Sequence, residues 1–178
     1  MNRVGALLVL ALGCAGSAPA PASSSTQPLT AASGPSGASV SDISLQTYPT
    51  PGKHAFSDDR GQVVVLDAWA TWCAPCVRSL PELQALRKEY ASRGVRVYAV
   101  SVDEDKAQIP TFLAAARVDV PVLLDPGGFV LESKLKLKQM PTTWVVDRSG
   151  HVRYTQESFD GNLNEVRAQV DALLREGP

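Results

Sequence analysis

Residues 63–76 of the chain read Val-Val-Val-Leu-Asp-Ala-Trp-Ala-Thr-Trp-Cys-Ala-Pro-Cys. The run Val63–Trp69 is almost continuously apolar, which predicts a strand covered on both faces of a sheet. Apolar residues then recur at three- and four-residue spacing over about residues 75–92, which predicts an amphipathic helix. The stretch therefore predicts a buried strand and a helix joined by a short loop that carries Cys73 and Cys76.

Strand and helix patterns alternate through the rest of the chain. Apolar runs predict further strands at Val95–Val102, Val122–Leu124, Thr142–Val146 and Val152–Tyr154, and helical spacing predicts helices over about 108–117 and 163–175. The last two strands are joined by Asp-Arg-Ser-Gly, a composition typical of a hairpin turn. This order predicts an α/β fold in which helices flank a central mixed β-sheet.

The two cysteines have the spacing of a pair that opens and closes as a disulfide. At the start of a helix, Cys-x-x-Cys places both sulfur atoms on one face, one turn apart. Unpaired N–H groups and the helix dipole would favour a thiolate at Cys73, so we expect Cys73 to be the nucleophile. Cys76, one turn deeper, would then attack the mixed disulfide and release the substrate.

A zinc site is the alternative use of such a pair. It needs four ligands, and the chain has no second cysteine pair. His54 and His151 stand in turn-like sequence far from the cysteines, and we expect both to be solvated. We therefore predict no metal and no cofactor other than the redox-active disulfide Cys73–Cys76.

Other side chains in apolar runs have simpler expected roles. Trp69 and Trp144 lie within predicted strands and should pack in the core. Between residues 134 and 138, lysine alternates with leucine, which predicts a half-buried edge with one solvated face.

Composition limits the classes of partner. The chain has 178 residues, 44% of them hydrophobic, and a formal net charge of −1 at pH 7. This fits one globular domain plus some non-globular sequence. Without a dense block of lysine and arginine, nucleic acid is a poor candidate partner.

The first residues resemble an export signal. A positive start is followed by the apolar run Val4–Leu12, which is too short to span a bilayer. Gly13-Cys14 resembles the lipobox of bacterial lipoproteins, in which the cysteine carries the lipid. We therefore predict a signal peptide over 1–13, a lipid-anchored flexible linker over 14–40 and a folded domain over 41–178. Ordinary cleavage near Ala18-Pro19-Ala20 is the alternative.

The segment from Asp67 to Cys76 closely resembles the active-site segment of thioredoxins. Met-Pro-Thr-Thr-Trp-Val-Val-Asp at 140–147 supports this resemblance, because the family has a cis-proline at the position of Pro141. An additional helix and strand over about 106–131 are similar to the TlpA/ResA-like branch, which is exported and tethered to a membrane. The resemblance implies a thioredoxin-like fold with an N-terminal extension and an αβ insertion before the cis-proline strand.

The resemblance also implies roles for individual residues. Cys73, Cys76, Asp67 and Pro141 would be catalytic, and the buried carboxylate of Asp67 would exchange a proton with Cys76. The substrate-binding residues would be Trp72, Pro75 and Met140, with Trp72 as an exposed platform beside the reactive thiol.

The activity implied is thiol-disulfide exchange with proteins of the bacterial cell envelope. Ala74-Pro75 supplies no charge to stabilise the thiolate, so we expect the dithiol to act as a reductant of exported proteins. A membrane dithiol protein would supply its electrons. Apocytochrome cysteines before haem attachment, oxidised envelope enzymes and metallochaperone thiols all fit as substrates. We expect the protein to face the periplasm, and Ala15 after the lipobox favours the outer membrane.

Three alternative functions use the same cysteines. A thiol-dependent peroxidase of the peroxiredoxin type is one, although the residues before Cys73 lack the proline of that motif. A disulfide donor or isomerase is the second. A non-catalytic binding module with a structural disulfide is the third, and it predicts no exchange with small dithiols.

Overall fold

The computed structural model describes residues 37–177; the predicted signal peptide, the predicted lipidation site Cys14 and most of the predicted linker lie outside the described residues. The strands are β1 (Ser44–Tyr48), β2 (Lys53–Ala55), β3 (Val63–Trp69), β4 (Val95–Ser101), β5 (Val122–Leu124), β6 (Thr142–Val146) and β7 (Val152–Gln156). The helices are α1 (Cys76–Glu89), α2 (Ile109–Ala116), α3 (Phe129–Leu135) and α4 (Asn164–Arg175).

The seven strands form one mixed sheet in the order β2-β1-β5-β4-β3-β6-β7. β3, β4 and β5 run parallel, and β6 and β7 add to the other side of β3 as an antiparallel hairpin. Every residue of β3 is buried. The predicted fold class is confirmed, and so is the prediction that the apolar strand is covered on both faces.

Helices α1 and α4 lie side by side. The guanidinium group of Arg167 in α4 contacts the carboxylate of Glu82 at 3.3 Å and that of Glu89 at 2.9 Å, both in α1. Their apolar residues, among them Leu80, Leu83, Val166 and Val170, are buried. The helix that begins at Cys76 is thereby held against the rest of the domain.

The N-terminal extension proves to be a β-hairpin, β1–β2, that joins the sheet beside β5. Ordered packing begins before Ser41: Val40 is buried, and the Val152 N–H donates to the carbonyl of Ala38 at 2.8 Å. Residues 38–40, which composition assigns to the linker, therefore pack on the folded domain. The sequence does not predict this packing, because residues 38–40 are mostly small and lie beside the edge strand β7.

At residues 134–138 the predicted burial is confirmed, since the lysines are exposed and the leucines buried or half-buried, but the segment is not an edge of the sheet. Lys134 and Leu135 end helix α3, which Lys136 terminates in a left-handed conformation with φ of 59°. Leu131 and Leu135, four residues apart, are both buried. The four-residue spacing of these leucines decides the structure, and the lysine-leucine alternation overlaps it by chance.

His54 is also not the solvated turn residue expected from the sequence. It lies in β2, where its Nε2 is 2.7 Å from Oδ2 of the buried Asp59. The Tyr98 hydroxyl donates to the other oxygen of Asp59 at 3.0 Å. His151 is exposed, as expected.

None of the helices within residues 37–177 is long and apolar enough to cross a membrane.

Candidate active site

Cys73 and Cys76 form a disulfide where the central strand gives way to the first helix. Their Cα atoms are 5.4 Å apart, and the Cys76 N–H donates to the carbonyl of Cys73 at 3.0 Å. Pro75 is the N-cap of α1. The predicted strand, loop and helix around the pair are therefore confirmed, although α1 begins at Cys76 itself rather than at Pro75.

The two sulfur-bearing residues differ little in exposure. Cys76 is fully buried, and Cys73, which we expected at the surface beside Trp72, is only 5% exposed in the disulfide form. Between them, Cys73 is still the residue nearer to solvent. This order agrees with the predicted division into an attacking and a resolving cysteine.

The three tryptophans separate into core and surface. Trp69 and Trp144 are fully buried, which confirms their predicted packing role, and the Trp69 ring stacks against Phe112 of α2 at 5.0 Å between centroids. Trp72 is 70% exposed directly before Cys73. Its position is the one a substrate platform requires, and the role itself stays a prediction.

A cavity of about 960 Å³ opens beside Trp72; we name it the redox groove. Its lining includes Thr71, Trp72, Asp103, Gly128, Leu137 and Met140. The volume lies at the upper end of the usual range for ligand pockets, so it has room for a short stretch of polypeptide. The groove provides a surface on which a partner could lie next to the cysteine pair.

The peptide bond between Met140 and Pro141 is cis, as the resemblance to thioredoxins implies. The antiparallel register pairs Ala68 of β3 with Thr142 of β6, which places Pro141 beside the end of β3 where the cysteine loop departs. Met140 lines the redox groove together with Trp72. The structure thus brings the two distant motifs of the sequence to one end of the sheet.

Asp67 lies in the middle of β3 and is completely buried. The strand register sets it opposite Thr143, whose hydroxyl donates to Oδ1 at 2.6 Å, while Oδ2 has no hydrogen-bond partner. Burial disfavours the charged carboxylate and raises the pKa of Asp67 from 3.8 to about 7, although the Thr143 hydrogen bond partly opposes this. A carboxyl group with a pKa near neutrality is suited to take up and release a proton.

A second aspartate, Asp103, was not anticipated from the sequence. Its carboxylate accepts hydrogen bonds from the Thr71 N–H at 3.0 Å, the Thr71 hydroxyl at 2.7 Å and the Ser101 hydroxyl at 2.9 Å. Thr71 is two residues before Cys73, so Asp103 braces the loop that carries the disulfide. One signal could have revealed it: Asp103 follows β4, and the carboxyl ends of parallel neighbours such as β3 and β4 share one edge of a sheet.

Within residues 37–177, no group of three or more histidine, cysteine, aspartate or glutamate side chains is arranged to hold a metal ion. The paired sulfur atoms of Cys73 and Cys76 are bonded to each other. The chemistry that this bonded pair supports is exchange of its disulfide.

A three-stranded parallel core, an added antiparallel hairpin and a Cys-x-x-Cys disulfide at a helix start define the class of thioredoxin-like thiol-disulfide oxidoreductases. The chain belongs to the Redoxin family, whose model matches residues 35–173. It is an enzyme of the ResA-like group within the thioredoxin superfamily, as the relatives below show.

The chain is similar to three proteins of known name or structure. It is 31% identical over 121 residues to the thiol-disulfide oxidoreductase ResA of Geobacillus kaustophilus, covering 65% of this chain and 69% of that protein. The structure of a putative thiol:disulfide interchange protein DsbE from Chlorobium tepidum matches with a TM-score of 0.70 and 31% identity, over 78% of this chain and 97% of that one. A secreted thiol-disulfide isomerase from Corynebacterium glutamicum matches with a TM-score of 0.65 and 26% identity, over 75% and 84%.

Proposed function

We propose that this oxidoreductase reduces disulfides of exported proteins, with Cys73 attacking and Cys76 resolving. The observation that carries the proposal is the Cys73–Cys76 disulfide at the base of an exposed tryptophan, beside a groove with room for polypeptide. The relatives named above, one of them described as secreted, support both the chemistry and the export.

The proposed reaction begins from the dithiol. The Cys73 thiolate attacks one sulfur of the substrate disulfide, forms a mixed disulfide and releases the other substrate sulfur as a thiolate, which is then protonated. Cys76 loses its proton and attacks the Cys73 sulfur, which releases the second substrate thiol. Two electrons have then passed to the substrate, and Cys73–Cys76 is oxidised.

Asp67 is proposed to receive the proton that Cys76 loses. Both residues are fully buried, so bulk water is a poor proton acceptor for Cys76. A carboxylate whose pKa is about 7 takes up a proton readily near neutral pH. In this proposal Trp72, Pro75, Met140 and Pro141 contact the substrate around the mixed disulfide, and no further cofactor takes part.

The test of the cysteine roles is a trapping experiment. Cys76→Ser should accumulate a covalent adduct with a disulfide-bonded protein substrate, and Cys73→Ser should accumulate none, because only Cys73 makes the first attack. Both adducts would be seen on non-reducing gels and lost on reduction. Equal trapping by the two variants would contradict the assignment.

The direction of electron flow rests on the uncharged Ala74-Pro75 pair between the cysteines. Equilibration with glutathione buffers should give a reduction potential near that of thioredoxin, about −270 mV. A value near that of strong periplasmic oxidants, about −120 mV, would make the protein a disulfide donor instead. A membrane dithiol protein is the proposed electron donor, and apocytochrome cysteines are one class of substrate that a reductant would serve.

The proposed location is the periplasmic side of the cell envelope, with a lipid on Cys14 as the anchor and the outer membrane favoured by Ala15. Detergent partitioning of the expressed full chain tests the anchor. The wild-type protein should enter the detergent phase and Cys14→Ala should stay in the aqueous phase. Identical partitioning of the two would remove lipidation from the proposal.

A further inference from the structure

Large hydrophobic side chains are covered throughout the part of the chain that the structure describes, with three exceptions: Trp72 at 70% exposure, Val77 at 46% and Phe129 at 71%. Trp72 and Val77 adjoin the two cysteines in sequence. Phe129 lies elsewhere in the chain and is the first residue of helix α3. Single exposed apolar side chains are common on protein surfaces, so the exposure of Phe129 gains meaning only from the cavity beside it.

The ring of Phe129 lies against the backbone of Gly127. It follows Gly127 and Gly128, which both have positive φ, 76° and 73°. A Cβ atom on Gly127 would lie 2.5 Å from the Phe129 ring, so the ring packs against the bare backbone of that glycine. The carboxylate of Asp125 accepts hydrogen bonds from the N–H groups of Val130, at 3.2 Å, and of Leu131, at 2.8 Å, and so fixes the start of α3.

Phe129 borders a second cavity of about 540 Å³; we name its lining the Phe129 surface, which consists of Phe129, Glu132, Ser133, Lys136, Leu137 and Lys138. Three of these residues, Glu132, Leu137 and Lys138, also line the redox groove. The groove in turn reaches Trp72 and Met140 beside the cysteine loop. The three shared residues make the redox groove and the Phe129 surface neighbours, and we call the pair the trough.

We infer that the Phe129 surface binds a large apolar side chain of the partner protein, carried on the same extended segment as the reacting cysteine and several residues away from it. This rests on the proposed function, because the segment is the substrate whose cysteine reacts with Cys73. The lining that the Phe129 surface shares with the redox groove favours this occupant. An extended chain spans about 3.3 Å per residue, so it follows a trough and presents an apolar side chain at a fixed offset from its cysteine.

The contact would add selectivity without touching the chemistry. Thiol-disulfide exchange itself needs only the cysteine of the partner to reach Cys73. The Phe129 surface adds binding free energy only to partners with an apolar residue at the matching offset.

The test uses the reduced full chain and synthetic peptides with one cysteine, blocked as a mixed disulfide with 5-thio-2-nitrobenzoate. Attack of Cys73 on the peptide sulfur releases the coloured thiolate, whose absorbance gives the rate constant. One series carries leucine at successive positions from two to eight residues on either side of the cysteine; the matched series carries serine there. We expect at least one leucine peptide to react about tenfold faster than its serine counterpart.

The variants assign that preference to Phe129. Phe129→Ser should reduce the leucine preference to less than about twofold, and Phe129→Leu should retain most of it. Both variants should react at the wild-type rate with a small aromatic disulfide, which is too short to reach Phe129; this also checks that they are folded. Absence of any leucine preference, or a preference that survives in Phe129→Ser, would overturn the inference.

Two further outcomes separate failure of the proposed function from failure of this inference alone. If the reduced wild-type protein reacts with neither the peptides nor the small disulfide, the proposed function fails and the inference fails with it. If sedimentation of the full chain shows a dimer that Phe129→Ser dissociates, the phenylalanine contacts a second copy, and the inference of a substrate surface is overturned. A monomer in both proteins, together with the leucine preference, supports it.

Discussion

Asp67 and Asp103 are two buried aspartates beside the cysteine loop, and their surroundings are opposite. Asp67 accepts one hydrogen bond, from Thr143, and its second oxygen has no partner. Asp103 accepts hydrogen bonds on both oxygens, from Thr71 and Ser101. A buried carboxylate without enough donors is destabilised in its charged form, whereas one with several donors is stabilised.

The difference indicates separate roles for the same chemical group. Asp67 is placed to exchange a proton, since burial raises its pKa to about 7. Asp103 is placed to hold the loop, because its donors include both the backbone and the side chain of Thr71. Four predictions test this contrast, from the largest expected effect to the smallest.

The stability of the oxidised protein should fall as pH rises, because of Asp67. Well below pH 3.8 the Asp67 carboxyl group is protonated in both the folded and the unfolded chain. Its ionisation then costs the folded state nothing, and the free energy of unfolding is at its highest. As pH rises from 3.8 through about 7, the unfolded chain releases the proton while the folded chain keeps it, so the free energy of unfolding drops by about 4 kcal/mol in total.

Asp67→Asn should remove this pH dependence. Urea unfolding of the oxidised proteins at several pH values between about 4 and 8 would measure it. The variant should become more stable than the wild type at pH 8, and Asp103→Asn, the matched control, should keep the wild-type slope. A slope that persists in Asp67→Asn would show that the titrating group lies elsewhere.

Asp103→Ala should lower the free energy of unfolding by about 3 kcal/mol. The substitution removes the acceptor of three donor groups, and hydrogen bonds to charged groups contribute about 1.5–3 kcal/mol each before water refills the site. Asp103→Asn retains one acceptor oxygen and should lose about half as much. Chemical denaturation of the oxidised forms measures both. A loss below about 1 kcal/mol for the alanine variant would mean that Asp103 does not brace the loop.

The release step should depend on Asp67 and not on Asp103. Asp67→Asn should prolong the lifetime of the mixed disulfide roughly ten- to a hundredfold at pH 7, because Cys76 loses its proton acceptor. The first attack by Cys73 should keep its rate. Single-turnover kinetics with a blocked peptide separates the two steps. Equal slowing of both steps, or the same slowing in Asp103→Asn, would argue for a distorted site rather than a lost proton acceptor.

The smallest effects are expected from removing one threonine hydroxyl that donates to Asp67 or to Asp103. Thr143→Val removes the hydrogen bond that lowers the pKa of Asp67, so that pKa should rise further, and the pH profile of stability should move upward with it. Thr71→Val removes one of the donors of Asp103 and should cost about 1.5 kcal/mol without moving the profile. A shifted profile in Thr71→Val would break the contrast between the two aspartates.

Local pattern was enough for much of the fold. The apolar run of β3, the helical spacing after the cysteines and the turn between β6 and β7 predict their elements closely. The hairpin β1–β2 was not predicted, since its short strands have no strong periodicity and gain their stability by pairing at the edge of the sheet. Helix α3 was missed because an alternating lysine-leucine run obscured the four-residue spacing of its buried leucines.

The cysteine pair and its place before a helix were determined by the sequence, because they depend on neighbours within one strand, one loop and one helix. The burial of Asp67 was implied by the resemblance to thioredoxins and not by its neighbours in sequence. Only the tertiary structure decided that Asp103 holds Thr71, 32 residues away, and that Phe129 borders a cavity next to the redox groove. The physical reason is that periodicity and propensity describe adjacent residues. Contacts between distant residues depend on strand order and register, which arise only when the whole sheet assembles.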